Sequence, residues 1–204
     1  EFSITSMLRF MTDHEITITN VSNAMGILLS RFNGIDNYDI SNLRLLSCGG
    51  GPMSKATVTQ ILELGDFEFF ISYGMTECCG KISFSIRYPT EEQPYGPDLI
   101  CTSGRPFMNM EIELRDCDTG EAIRQYNTAG EVHIRGPTVL RGYLDNDEAN
   151  KKAFIRGWFK TGDMAVWMKT GHLQIVDRCK DMIICGGENV YCAEVEEEEE
   201  EEEE

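Results

Sequence analysis

Ile71–Glu77, ISYGMTE, stands at the end of a short apolar run, Phe67–Ser72, that reads as a buried strand. Gly74 breaks the apolar pattern, so the chain is expected to turn at the strand's exit. Within five residues that exit presents an aromatic ring (Tyr73), a hydroxyl (Thr76) and a carboxylate (Glu77). A flat ring stacks on a base, a hydroxyl donates to a phosphate oxygen, and a carboxylate holds a hard divalent cation. Ligands of open α/β sheets gather at the carboxyl ends of strands, and this is such a place. The bland alternative is an ordinary loop with a capping threonine.

Upstream, Leu43–Cys48 reads as a second buried strand running into Gly49-Gly50-Gly51-Pro52. Glycines there let a flat ligand approach the backbone, and they equally suit a tight strand-to-helix turn. Ser54 is placed to cap a helix through Leu64, with Val58, Ile61 and Leu62 inward and Gly65 at its end. Val21, Met25, Leu28, Leu29 and Phe32 fall on one face at helical spacing and predict a helix stopped by Asn33–Gly34. Alternating helices and strands predict a parallel α/β layer.

After Glu77 the pattern changes. Lys81–Ile86 alternates as a strand, and Tyr88–Pro97 reads as a surface loop. Met110, Ile112 and Leu114 alternate with charged residues as a half-buried strand, and Asp116–Gly120 is a turn. Glu131–Arg135 is another strand, and Asn146 caps a short helix to Phe154. Trp158-Phe159 reads as core. Met164–Met168 and Leu173–Val176 form a hairpin around Lys169–Gly171. The fold class is therefore α/β: a partial parallel layer to about residue 80, then a β-rich subdomain over about 81–177.

Four stretches carry a resemblance: LRLLSCGGGPM (Leu43–Met53), ISYGMTE, GEVHIRGPTVLRGY (Gly130–Tyr143) with KTGD (Lys160–Asp163), and IVDRCKDMIICGGENVYCAEVE (Ile175–Glu196). Together they resemble the adenylate-forming (AMP-binding) superfamily, and the last stretch is most similar to its CoA ligases. The similarity runs from about Ile16 to Glu196. It implies activation of a carboxylic acid with ATP and Mg2+, release of pyrophosphate, and transfer of the acyl group to CoA. By resemblance, Tyr73 stacks on adenine opposite Gly49, Gly50, Gly51 and Pro52, with Gly74 beside it in the nucleotide site. Thr76 meets the α-phosphate, Glu77 holds Mg2+, Asp163 accepts the ribose hydroxyls, and Arg178 contacts ribose and phosphate. Lys180 falls at a hinge, and Gly186 and Gly187 match a turn that lines the CoA tunnel. Bland readings stand beside these: Asp163 as a turn former, and Asp177–Asp181 as a solvated link. A non-catalytic nucleotide- or acyl-adenylate-binding module is the alternative function.

The resemblance assigns 1–177 to the second half of a large domain and 178–195 to the hinge and opening of a small one. A phosphate-binding loop is expected before Glu1 and a catalytic lysine beyond Glu196. The chain is thus expected to be an internal piece of a longer enzyme, inactive alone.

Composition narrows the partners. The formal charge is −17, but residues 196–204 are nine consecutive glutamates. Without them 26 acidic residues face 18 basic ones, a net of −8. That balance disfavours nucleic acid and gives no polybasic membrane patch. The glutamate run reads as a disordered acidic tail or an artefact. No apolar run approaches the roughly 18 residues of a spanning helix. The eight cysteines include no CxxC pair, which speaks against a zinc site. Reduced thiols and the absence of a leader at Glu1 predict an intracellular, cytoplasmic protein.

Overall fold

The computed structural model describes residues 2–51, 53–87, 101–178, 183–185 and 188–190. The chain divides into two compact units: residues 1–73 with 84–104, and residues 74–83 with 105–204. The predicted surface loop Tyr88–Pro97 lies outside the described residues.

In the first unit, α1 (Ile4–Asp13) leads into β1 (Ile18–Ser22), α2 (Asn23–Ser30), a single 3-10 turn (Ile35–Asn37), β2 (Leu45–Gly49), α3 (Lys55–Leu62) and β3 (Glu68–Met75). Strands β1, β2 and β3 are parallel neighbours, with Ile18 opposite Leu45 and Leu45 opposite Glu68. Parallel neighbours need crossovers, and α2 and α3 supply them. Two crossovers of the same hand, made in sequential order, put both helices on one face, where they pack together.

The sequence marks where the helices start. Ser22 Oγ accepts from Met25 N, and Ser54 Oγ accepts from Thr57 N, each at 3.3 Å. Such caps contribute about 1 kcal/mol each. Leu46, Phe69, Val58, Ile61, Val21 and Leu8 are fully buried between sheet and helices. Each buried side chain of this size contributes about 1.5–3 kcal/mol.

Two sequence expectations are corrected here. Val21 lies on β1 rather than on a helix, and Leu28 is exposed. The helical spacing runs across a strand–helix junction, because α2 begins at Asn23 directly after β1 ends at Ser22. Helix α1 and strand β1 lie outside the elements expected from the sequence.

The chain passes into the second unit within β3 and back within β4 (Gly80–Arg87). After β5 (Arg105–Pro106) come β6 (Glu111–Arg115), β7 (Gly130–Arg135), α4 (Asp147–Ala153), β8 (Phe154–Ile155), β9 (Trp158–Trp167) and β10 (Leu173–Arg178). They form an antiparallel sheet in the order β10-β9-β7-β6, with β8 on β9. Asn146 Oδ1 caps α4 by accepting from Ala149 N at 3.0 Å. Across β6 and β7, Arg135 holds Glu111 through two hydrogen bonds of 3.0 and 2.6 Å while its guanidinium lies 4.6 Å from the Trp158 ring centre. Strands β11 (Ile183–Cys185) and β12 (Glu188–Val190) pair as a separate hairpin. The α/β class with a β-rich second half is the architecture observed. No helix among the described residues is long and apolar enough to cross a membrane.

Candidate active site

In the first unit the parallel pairing of β2 with β3 ends at Gly49 opposite Ser72, while β3 itself runs on to Met75. The glycine turn therefore leaves the carboxyl end of β2 where Tyr73 follows the last β3 residue paired with it. Ser72 Oγ donates to Cys48 O at 3.3 Å. A Cβ on Gly49 would lie 2.9 Å from Ser72 Oγ and 3.0 Å from Ser72 O, so close packing demands that glycine. Gly51 is similarly crowded by Asn23 Nδ2 at 2.9 Å. Gly50 is different: its φ is +94°, and a Cβ there would meet nothing within 4 Å. Open, bare backbone is thus exposed just past the Gly49–Ser72 pair, the last before Tyr73. Pro52 lies outside the described residues.

In the second unit the exit of β3 departs from expectation. Gly74 does not turn the chain; β3 continues through it to Met75. The reason is a close approach, since a Cβ on Gly74 would lie 1.6 Å from Gly80 O. The turn follows instead as a 3-10 helix, Thr76–Cys78, with φ of +55° at Cys79 and +120° at Gly80. Cys79 N donates to Thr76 O at 3.1 Å. The buried Cys78 thiol donates to Met75 O (3.1 Å) and Gly80 O (3.4 Å), tying both ends of the turn. Burial pushes this thiol's pKa up, which keeps it a donor.

Thr76 is exposed on that turn, and Glu77 is half-buried. Glu77 is held twice. Its carbonyl accepts from Leu140 N at 2.7 Å, and its Oε1 accepts from Tyr143 Oη at 3.0 Å. Burial first, then the hydrogen bond and charge of Glu77, raise the Tyr143 phenol pKa, so its proton stays on. Tyr143 is gripped in turn by Asn150: its N donates to Asn150 Oδ1 (2.6 Å), and Asn150 Nδ2 donates to its carbonyl (3.0 Å). Sequence reading assigned no role to Tyr143 or Asn150. The signal was the RGY that closes Gly130–Tyr143, but nothing local pairs it with a residue 66 positions earlier.

Asp163 sits in a β-bulge. Along β7 and β9, Glu131 faces Met164 and His133 faces Lys160. Thr161, Gly162 and Asp163 therefore oppose Val132 alone. Gly162 takes φ +77° to make this possible. Thr161 closes the bulge, donating from Oγ1 to Val132 O (2.9 Å) and accepting from Asp163 N (3.1 Å). A second irregularity between Ile175 and Asp177 in β10 brings Arg178 opposite Asp163. Arg178 Nε lies 3.3 Å from Asp163 Oδ1; the arginine side chain is 73% exposed and the aspartate 10%. Bulges re-aim side chains at strand ends, and here two of them converge on one carboxylate.

Beside the bulge, buried Glu131 Oε2 meets His133 Nε2 at 3.2 Å and Lys160 Nζ at 3.3 Å. Burial pushes the Glu131 carboxyl up. The His133 hydrogen bond and the charges of Lys160 and His133 outweigh it and leave its pKa below the ordinary value.

Thus the structure brings Asp163 and Arg178 together, and it places Gly49, Gly50 and Gly51 beside the strand that carries Tyr73. Lys180, Gly186 and Gly187 lie outside the described residues. No group of three or more His, Cys, Asp or Glu gathers among the described residues, so they form no all-protein metal cage. A lone carboxylate with one oxygen engaged by a neutral phenol still suits magnesium. That ion is bound through one or two carboxylates and completes its shell with water and substrate phosphates.

Residues 2–144 match the description "AMP-binding enzyme". The 2-succinylbenzoate–CoA ligase of Bacillus licheniformis is 36% identical over 199 residues, covering 96% of this chain and 38% of that protein. Among solved structures, the amide bond synthetase McbA of Marinactinospora thermotolerans superposes with a TM-score of 0.84 at 28% identity, over 96% of this chain and 39% of that one. The O-succinylbenzoate CoA synthetase MenE of Bacillus subtilis, in complex with ATP and magnesium ion, does so with 0.81 at 31%, over 97% and 39%. The chain thus spans about 38% of the length of such relatives. With the family description matched across more than half its residues, the chain belongs to the AMP-binding enzyme family.

Proposed function

We propose that this chain supplies the adenosine- and metal-binding part of an ATP-dependent acid–thiol ligase. A carboxylate oxygen attacks the α-phosphorus of ATP, the bond to the bridging oxygen breaks, and pyrophosphate leaves. The CoA sulfur then attacks the acyl carbon, and AMP leaves. The observation that carries this reading is the end of the β2–β3 pairing at Gly49 and Ser72, where bare Gly50 backbone follows on one strand and Tyr73 on the other.

Tyr73 stacks on adenine, with Gly49, Gly50, Gly51 and Pro52 as the opposite wall. Thr76 donates to the α-phosphate. Asp163 accepts both ribose hydroxyls. Arg178 meets Asp163 through Nε, which leaves its two terminal nitrogens for ribose and phosphate oxygens. Glu77 holds Mg2+, which when bound supplies positive charge to the polyphosphate. Lys180 is the hinge residue, and Gly186 and Gly187 line the CoA path. Residues 1–177 form part of the large domain and 178–195 open the small one. In this reading the 204 residues alone do not complete adenylation, a step in which the leaving pyrophosphate needs preorganised donors. ATP and CoA as co-substrates place the reaction inside the cell. The first acid to test is 2-succinylbenzoate, the acid named for the bacterial relatives.

Asp163→Ala, made in the protein at its full natural length, tests the assignment. Two charge-assisted hydrogen bonds of about 1.5–3 kcal/mol each are lost. ATP binding followed by calorimetry is expected to weaken at least tenfold. Unchanged affinity removes Asp163 from the ribose site.

A further inference from the structure

The geometry points to Tyr143 as a positioning residue that holds the Glu77 carboxylate in one orientation, with Asn150 as the brace that holds Tyr143. This rests on the reading of Glu77 as the carboxylate for a divalent cation.

A glutamate side chain has three rotors, and magnesium demands near-ideal octahedral geometry at about 2.0–2.1 Å. An unrestrained carboxylate meets that demand poorly. Here the Glu77 backbone is pinned by Leu140 N at 2.7 Å, and Oε1 is pinned by Tyr143 Oη at 3.0 Å. The donor is a neutral phenol. It orients the carboxylate without cancelling the charge that draws a cation, as a lysine or arginine would. Oε2 keeps its acceptor capacity.

Tyr143 can serve only if it is itself fixed. The Asn150 amide grips its backbone on both sides, at 2.6 and 3.0 Å. Gly142 admits that amide, since a Cβ there would lie 3.1 Å from Asn150 Oδ1. Asn150 belongs to α4, whose first turn is capped by Asn146. A chain of restraint therefore runs from a capped helix through Asn150 and Tyr143 to Glu77, all inside one compact unit.

The test compares ATP affinity with Mn2+ against ATP affinity in EDTA, by calorimetry on the protein at its full natural length. Tyr143→Phe keeps the ring and is expected to lose about tenfold of the Mn2+-dependent tightening, the order of one hydrogen bond to a charged group. Its EDTA value and its melting temperature stay at wild-type levels. Asn150→Ala leaves the phenol and carboxylate chemically intact and is expected to lose part of the same enhancement. Glu77→Gln abolishes it. Full enhancement retained in Tyr143→Phe, with Glu77→Gln abolishing it, overturns the Tyr143 assignment alone. Full enhancement in Glu77→Gln overturns the metal reading and this inference with it. Equal weakening with Mn2+ and with EDTA, together with a lowered melting temperature, marks Tyr143 as scaffold only and also overturns the proposal.

Discussion

Glycines that look alike in sequence do different physical work here. Gly50 is needed for its left-handed φ of +94°, and the space around it is open. Gly74 is needed for room, because Gly80 O would lie 1.6 Å from its Cβ. Backbone on the far side of a tight turn cannot swing away as a flexible side chain can. Gly74→Ala is therefore expected to cost about 3 kcal/mol or more, as overpacking with forced backbone movement does. Gly50→Ala is expected to cost about 1–2 kcal/mol, for conformation alone. Urea denaturation of the two variants separates the cases. Equal, mild losses would mean that the turn after β3 has slack. The cysteines beside it follow the same logic of place: Cys78 is buried and knits the turn, while its neighbour Cys79 is exposed.

Elements show why periodicity alone was an incomplete guide. Val21 to Phe32 fits a helical template, yet the first of those positions belongs to a strand. The junction is abrupt because Ser22 both ends β1 and caps α2. Strand β9 shows the converse. Its apolar pattern announced a strand only over Met164–Met168, not the six residues before it from Trp158, nor the bulge at Thr161–Asp163 that aims Asp163 at Arg178. Thr161 replaces lost ladder bonds with its own hydroxyl, which acts as donor and acceptor at once. Thr161→Val keeps the shape and removes both bonds, leaving partly buried backbone groups unpaired. A loss of about 1–3 kcal/mol is expected, with Thr161→Ser close to wild type. Thermal or urea unfolding of the pair checks this. Equal stability of the Val and Ser variants would show that the bulge holds without the hydroxyl.

At the scale of the whole molecule, net charge says little about stability, since nine of the acidic residues stand in one terminal run. The buried Glu131 says more. Its carboxyl pKa lies below the ordinary 4.5 because His133 and Lys160 hold it ionised against the effect of burial. Between that lowered value and 4.5 the unfolded chain binds more protons than the folded one, so stability rises with pH across the window. The contribution is complete above about pH 4.5 and disappears as the pH falls through the folded value. Urea midpoints at descending pH are expected to fall more steeply in the wild type than in Glu131→Gln. Parallel curves would show that the cluster contributes nothing to acid sensitivity.

Much of this protein was legible in short stretches of its sequence. Apolar runs marked β2 and β3, and Ser54 and Asn146 announced their helices. These signals are local: a cap, a period or a turn acts over a few residues and leaves its mark there. The tertiary structure alone decided which partner each site residue meets. Glu77 finds Tyr143 across 66 positions, and Asp163 finds Arg178 through two register shifts. A period of two records which face of a strand is buried. It carries no record of the neighbouring strand, of the register or of an inserted bulge, because those follow from how loops close and sheets pair.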